Sequence, residues 1–145
     1  MEIMVIKNKK ASFNYEFIQQ FTAGIILLGT EIKPLRHGNA SIKEAYCFFK
    51  KNELFIKGMY IGEHNIGEKH DTIRDRKLLL NKKELVSLQK ELTIKGLTIV
   101  PITVFFNENG YAKLTIALSK GKGEWDKRQS VKRKDIEREN QIKIK

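Results

Sequence analysis

The chain has 145 residues, enough for one domain with a buried core and a tail. Its 28 Lys+Arg against 17 Asp+Glu give a formal net charge of +11, which directs it toward nucleic acid or an anionic surface. Apolar runs such as Ile25–Leu28 are too short to span a bilayer, no signal-peptide pattern opens the chain, and a single cysteine excludes an internal disulfide framework.

A reducing cytoplasm is therefore expected, with Cys47 serving as a small buried hydrophobe in the Tyr46–Phe49 cluster. Only six of the basic residues are arginine. Lysine acts as a point charge, so the pattern suits phosphate contacts better than bidentate reading of bases.

In chain order, residues 1–12 are short and basic. Asn14 can cap a brief helix with Phe17, Ile18 and Phe21 on one face and Gly24 at its end. Gly24–Arg36 then reads as a long strand whose Pro34 marks an edge or a bulge. Ser41-Ile-Lys-Glu44 spells a capping box for a second short helix. Tyr46–Lys50 and Glu53–Ile61 read as strands turning at Lys51-Asn52, followed by a polar loop over 62–77.

The best-marked helix follows. Asn81 caps it, Glu84 completes a capping box, Leu80 can staple onto Leu85, and Leu85, Leu88 and Leu92 form its buried stripe before Gly96. Leu97–Phe106 reads as a strand with Val100, Ile102, Val104 and Phe106 on one face. Asn109-Gly110 spells a hairpin turn into a strand where Ala112, Leu114, Ile116 and Leu118 alternate with Lys113, Thr115, Ala117 and Ser119. From Lys120 on the alternation stops, glycines loosen the backbone and the charge rises, so this end cannot bury a core.

Five or six hairpin-forming strands with one long and two short helices predict a mainly β fold, a small closed antiparallel barrel of the OB type. The expected organisation is a body over 1–119 and a basic tail over 120–145.

A catalytic constellation is thin. His64 and His70 lie near Glu63, Glu68 and Asp71, but the spacing matches no standard zinc pattern. Neither a nucleophile elbow nor a phosphate loop is spelled. Binding is better supported, because basic residues cluster at Lys7–Lys10, at Arg74-Arg76-Lys77 and at Lys120-Gly121-Lys122, a set able to follow a phosphate backbone. Trp125, in a polar glycine-loosened arm, suits burial in a partner or stacking on a base.

These pieces resemble the SmpB family, bacterial proteins that partner transfer-messenger RNA (tmRNA) in ribosome rescue. The matching strings run in order: Asn8-Lys9-Lys10-Ala11; Gly29-x-Glu31-Ile32-Lys33-x-Leu35-Arg36-x-Gly38; Arg74-x-Arg76-Lys77-Leu78-Leu79-Leu80; Gly96-x-Thr98-Ile99-Val100-Pro101; and Lys120-Gly121-Lys122 followed by Asp126-Lys127-Arg128. The resemblance implies a cytoplasmic, monomeric OB-like adaptor without catalytic residues or a cofactor. It would bind the tRNA-like domain of tmRNA and bring it to a stalled ribosome for trans-translation, with elongation factor Tu joining through the RNA.

By the same resemblance, Asn8, Lys9, Glu31, Lys33, Arg36, Arg74, Arg76, Lys77, Lys120 and Lys122 are RNA-face candidates, Glu31 alternatively only holding neighbouring basic groups. Trp125 stands where the family places an aromatic that meets small-subunit rRNA in the decoding centre, with Asp126, Lys127 and Arg128 beside it. Charge alone adds Lys132, Arg133, Lys134 and Arg138 as residues lining the empty mRNA channel. The tail is expected to be disordered when free and helical on the ribosome. Pro34, Thr72 and a somewhat short end depart from the family pattern. The rival readings are a generic OB-fold RNA-binding or ribosomal protein, and a small metal-dependent RNA-processing enzyme using Glu31, His70 and Asp71.

Overall fold

A computed structural model describes residues 3–63, 69–94 and 96–122. The alternating stretch near the end of that range is the centre of the fold. It forms β9 (Ala112–Gly121), which buries Leu114, Ile116 and Leu118. Both its edges are paired, one with β2 (Tyr15–Ile25) and one with β8 (Leu97–Phe106), each antiparallel. Ala117 and Ser119 are buried on the other face. The strand runs to Gly121, beyond the last alternating residue, and the Lys122 N–H then donates to the Asn14 carbonyl at 2.9 Å.

The remaining strands are β1 (Ile3–Lys7), β3 (Ala40–Ser41), β4 (Tyr46–Lys50), β5 (Glu53–Lys57), β6 (Tyr60–Ile61) and β7 (Arg76–Leu79). Hydrogen bonding orders the main sheet β1-β8-β4-β5-β7-β2-β9, with β9 also returning to β8, while β3 and β6 form a separate pair. The helices are α1 (Ala11–Asn14), α2 (Gly29–Arg36) and α3 (Lys82–Glu91). The fold is mainly β with three helices among the described residues. One apolar cluster joins the sheet's inner face to the helices through Leu35, Ile56, Leu88, Ile99, Leu114 and Ile116.

Local signals hold where the interactions are local. Asn81 Oδ1 accepts the Glu84 N–H at 2.9 Å and Glu84 Oε1 accepts the Asn81 N–H at 3.3 Å, closing the expected capping box of α3. Leu88 is fully buried, with Leu80, Leu85 and Leu92 packed partly against the core. Lys51 and Asn52 both take positive φ, 51° and 65°, as a two-residue hairpin turn requires. Gly110, at φ 82°, closes the β8–β9 turn with its N–H on the Asn107 carbonyl.

Five expectations are corrected. The helix placed after Asn14 is instead the strand β2, paired with β9 from Tyr15 to Gly24. A register shift between Phe17 and Gln19 leaves Ile18 as the extra, exposed residue. The helical content lies before it, in the single turn α1.

The strand read over Gly24–Arg36 stops at Ile25, and its second half is α2, with Pro34 inside that helix rather than at an edge. Glu31 accounts for the start, because its Oε1 accepts the Leu28 N–H at 2.7 Å, the acidic half of a capping box. Pro34 costs the helix one intrahelical bond, and its carbonyl accepts the Asn39 N–H at 2.9 Å just past the end.

Ser41-Ile-Lys-Glu44 forms no helix. Ser41 closes β3 and its hydroxyl accepts the Lys43 N–H at 3.3 Å, a local turn that leads straight into β4. β8 does not keep one face throughout, because a register shift between Pro101 and Thr103 makes Ile102 the extra residue. Ile99 therefore meets the core before the bulge, and Val104 and Phe106 after it. β5 likewise stops at Lys57, since Gly58 at φ 82° turns the chain before β6.

Candidate nucleic-acid interface

The N-terminal basic cluster is built around a buried amide. β1 ends at Lys7, and Asn8 behind it is only 9% exposed. Its backbone N–H donates to the Ile102 carbonyl at 2.7 Å, at the bulge of β8. Its Nδ2 donates to the carbonyls of Pro101 at 3.1 Å and Ile42 at 3.4 Å. Asn8 thus ties three separate stretches together and is spent internally. Lys7, Lys9 and Lys10 are left on one wall of a cavity of about 460 Å³, and Ser41 and Lys43 on the other.

The strand exit joins the same region. Lys122 Nζ donates to the Ser12 carbonyl at 2.9 Å, beside the Lys122 N–H bond to Asn14, so β9 ends against α1. Lys120 is exposed and lies opposite Glu16 on β2. Two of the three basic clusters read from the sequence are therefore neighbours. Lys43 was not among the expected residues. It lines the cavity next to Ile42, whose carbonyl Asn8 holds, a contact between residues 34 positions apart.

The third cluster is organised by Glu31, whose side chain is fully buried. Arg76, equally buried, reaches Glu31 Oε2 through Nε at 2.7 Å and Nη2 at 2.5 Å. Arg74 donates through Nη2 to Oε1 at 2.6 Å and through Nε to Oε2 at 3.2 Å. Arg76 also donates to the Met59 carbonyl at 2.7 Å and the Arg74 carbonyl at 3.2 Å.

Burial by itself would raise the Glu31 carboxyl, but hydrogen bonds from Arg74, Arg76 and the Leu28 N–H outweigh it and hold the pKa below the ordinary carboxylate value. The Arg76 guanidinium is lowered by burial, opposed by the charge and hydrogen bonds of Glu31. Both groups remain ionised at neutral pH. This is a satisfied internal network that fastens α2 to the start of β7.

The candidates therefore separate. Asn8, Glu31 and Arg76 are buried, with their polar groups used inside the chain, and for Glu31 this is the alternative the sequence left open, a carboxylate that holds neighbouring basic groups. Lys9, Lys33 and Arg36 are exposed, and the Arg36 guanidinium stands 5.2 Å over the Phe106 ring. Arg74 is one-quarter exposed, and Lys77 is partly exposed with Nζ 3.3 Å from Glu53. Trp125, Asp126, Lys127, Arg128, Lys132, Arg133, Lys134 and Arg138 lie outside the described residues.

The residues considered for chemistry are also engaged structurally. The His70 ring nitrogens meet Thr30 Oγ1 and the Ile61 carbonyl, each at 3.0 Å. The carbonyl can only accept, so Nε2 donates there. Asp71 Oδ1 accepts the Ile73 N–H at 3.1 Å. Among the described residues, which exclude His64 and Glu68, no three His, Cys, Asp or Glu side chains group to hold a metal.

Comparison with known proteins places this arrangement. The chain matches the family described as SmpB protein over residues 5–145. It is 54% identical over 136 residues to the SsrA-binding protein of Phocaeicola vulgatus, covering 92% of this chain and 91% of that one. It is 55% identical over 138 residues to the SsrA-binding protein of Cytophaga hutchinsonii, covering 94% and 90%. A Prochlorococcus marinus SsrA-binding protein is 43% identical over 142 residues, covering 96% and 86%. A solved chain described as "tmRNA-SmpB: a journey to the center of the bacterial ribosome" aligns with a TM-score of 0.69 at 39% identity, over 88% of this chain and 94% of that one.

Proposed function

The chain belongs to the SmpB family, and from that membership we propose that it is an adaptor that binds the tRNA-like domain of tmRNA and brings it to stalled ribosomes for trans-translation. The observation that carries this reading is the extent of the likeness. It runs through the lysine-lined cavity, the Glu31 network and the basic C-terminal segment together. Lysine points charge at phosphate without reading bases, which suits a folded RNA recognised by shape.

Within the proposal, the direct RNA contacts come from Lys9, Lys33, Arg36, Arg74, Lys77, Lys120 and Lys122. Asn8, Glu31 and Arg76 act one step behind, fixing the backbone and the arginine that carry those contacts. Trp125, Asp126, Lys127 and Arg128 are assigned to the decoding centre, and Lys132, Arg133, Lys134 and Arg138 to the mRNA channel. Elongation factor Tu enters through the RNA, and the protein acts as a cytoplasmic monomer with no reaction of its own. The β9–β8 return of the sheet supports reading the body as an OB-like barrel.

The test is a salt-titrated binding assay comparing the tRNA-like domain of tmRNA with an RNA duplex of equal length and charge. A preference that survives rising salt is expected. Equal binding lost together with salt would reduce the protein to a basic RNA binder and end the adaptor reading. A chain truncated after Lys122 should keep the preference and lose tagging of stalled peptides. Loss of both would refute the division into body and tail.

A further inference from the structure

The hairpin β4–β5 carries aromatic rings on the wrong face for a core. Its inward residues are Cys47, Leu54 and Ile56, all buried, and Phe49 packs against the core with them. The alternate positions point outward, where Phe48 and Phe55 face each other across the strands with centroids 5.8 Å apart and planes at 26°. Tyr46 extends the row, its centroid 6.4 Å from Phe48, and it is 44% exposed. Neither Phe48 nor Phe55 belongs to the core or to the apolar groups packed on it. Phe48 and Phe55 are half-buried against each other, and Tyr46, its ring tilted 52° to that of Phe48, is the exposed end of the stripe.

The charges beside the stripe are mostly cationic, with the carboxylate of Glu53 among them. Lys57 lies directly opposite Tyr46, and Lys77 of β7 lies directly opposite Phe55. Glu53 engages Lys77 at 3.3 Å, whereas Lys57 has no ion pair among the described residues. An exposed tyrosine ring at the end of a stacked aromatic pair, with an ammonium group opposite it, can extend that stack onto an unpaired base and meet its phosphate. None of the residues lining the lysine cavity comes from β4, β5 or β7.

We propose that the outer face of β4–β5, centred on Tyr46, Phe48 and Phe55 and flanked by Lys57, is a second nucleic-acid surface that holds a short unpaired RNA stretch by stacking. It shares no residue with the lysine-lined cavity. The stripe accepts any base, because every base offers a π face, and Lys57 places one phosphate.

The experiment uses the full chain and a short fluorescein-labelled oligouridylate, with the tRNA-like domain of tmRNA as a second ligand. Tyr46→Ala should weaken oligouridylate binding about tenfold, and Phe55→Leu, which keeps apolar bulk but removes the ring, by a smaller factor. Lys57→Gln should lower the slope of log affinity against log salt by about 0.7. Tyr46→Ala and Lys57→Gln should leave binding of the tRNA-like domain unchanged. If the rings serve only the hairpin, Tyr46→Ala will lower the melting temperature without changing oligouridylate affinity, and the proposal falls. It falls equally if the wild-type chain does not bind the oligomer, or if Lys9→Gln abolishes binding that the Tyr46 and Lys57 variants leave intact.

Discussion

Glu31→Gln isolates the buried network, because the shape is kept and the charge is removed. The wild-type carboxylate accepts from the Leu28 N–H, twice from Arg74 and twice from Arg76. Removing one partner of a buried ion pair costs about 3–5 kcal/mol, mostly from the charge left behind. Here Arg74 is 25% exposed and can recruit water, whereas Arg76 cannot. The loss is therefore dominated by one guanidinium and falls near the lower figure, about 3 kcal/mol. For a chain of this size that lowers the melting temperature on the order of 10 °C, read by circular dichroism at neutral pH.

The same network has a pH signature. Because the folded carboxyl titrates below its ordinary 4.5, the unfolded chain takes up the proton first as pH falls. The stabilisation is fully present above that ordinary value and disappears as pH drops through the folded one. The wild type should lose stability in acid more steeply than Glu31→Gln. A double variant, Glu31→Gln with Arg76→Met, should be less destabilised than the sum of its singles, since it leaves no buried charge unpaired. Melting of Glu31→Gln within about 2 °C of wild type, or strict additivity, would refute the reasoning.

Asn8→Ala removes both Nδ2 bonds and leaves the Ile42 and Pro101 carbonyls without that donor. A loss of about 1–3 kcal/mol is expected in urea unfolding, with weaker RNA binding but an unchanged salt slope, because every lysine remains. Gly58→Ala puts a side chain at φ 82° with its Cβ 3.0 Å from the Glu44 carbonyl oxygen. It should cost about 1–2 kcal/mol by the same assay. Burial pushes the Cys47 thiol well above its ordinary range, so a thiol reagent should leave it unmodified in the native protein and label it fully in urea. Rapid native labelling would show that β4 opens.

What the sequence settled by itself were the features closed within a few residues. Asn81 and Glu84 cap α3 because each reaches the other's backbone from the same turn. Lys51-Asn52 and Asn109-Gly110 reverse the chain for the same local reason, and β9 shows its alternation because one face is buried along its length. The basic clusters were legible as charge, and the motif strings led to the family.

Tertiary structure decided the rest. Phe17, Ile18 and Phe21 fit a helical face in isolation, and only the ladder with β9, about a hundred residues away, makes that stretch a strand. Pro34 looked like the end of a strand until Glu31 capped α2 and the network with Arg74 and Arg76 fixed it. Lys43 joined the lysine cavity beside a hydrogen bond from the Asn8 side-chain amide to the Ile42 carbonyl, across 34 residues. Asn8, Glu31 and Arg76 lie in the interior, a burial that no motif string shows. A cap or a tight turn is enclosed by its own neighbours in the chain. Which strand pairs with which, and which charge is taken out of water, depends on contacts that exist only once distant segments have packed.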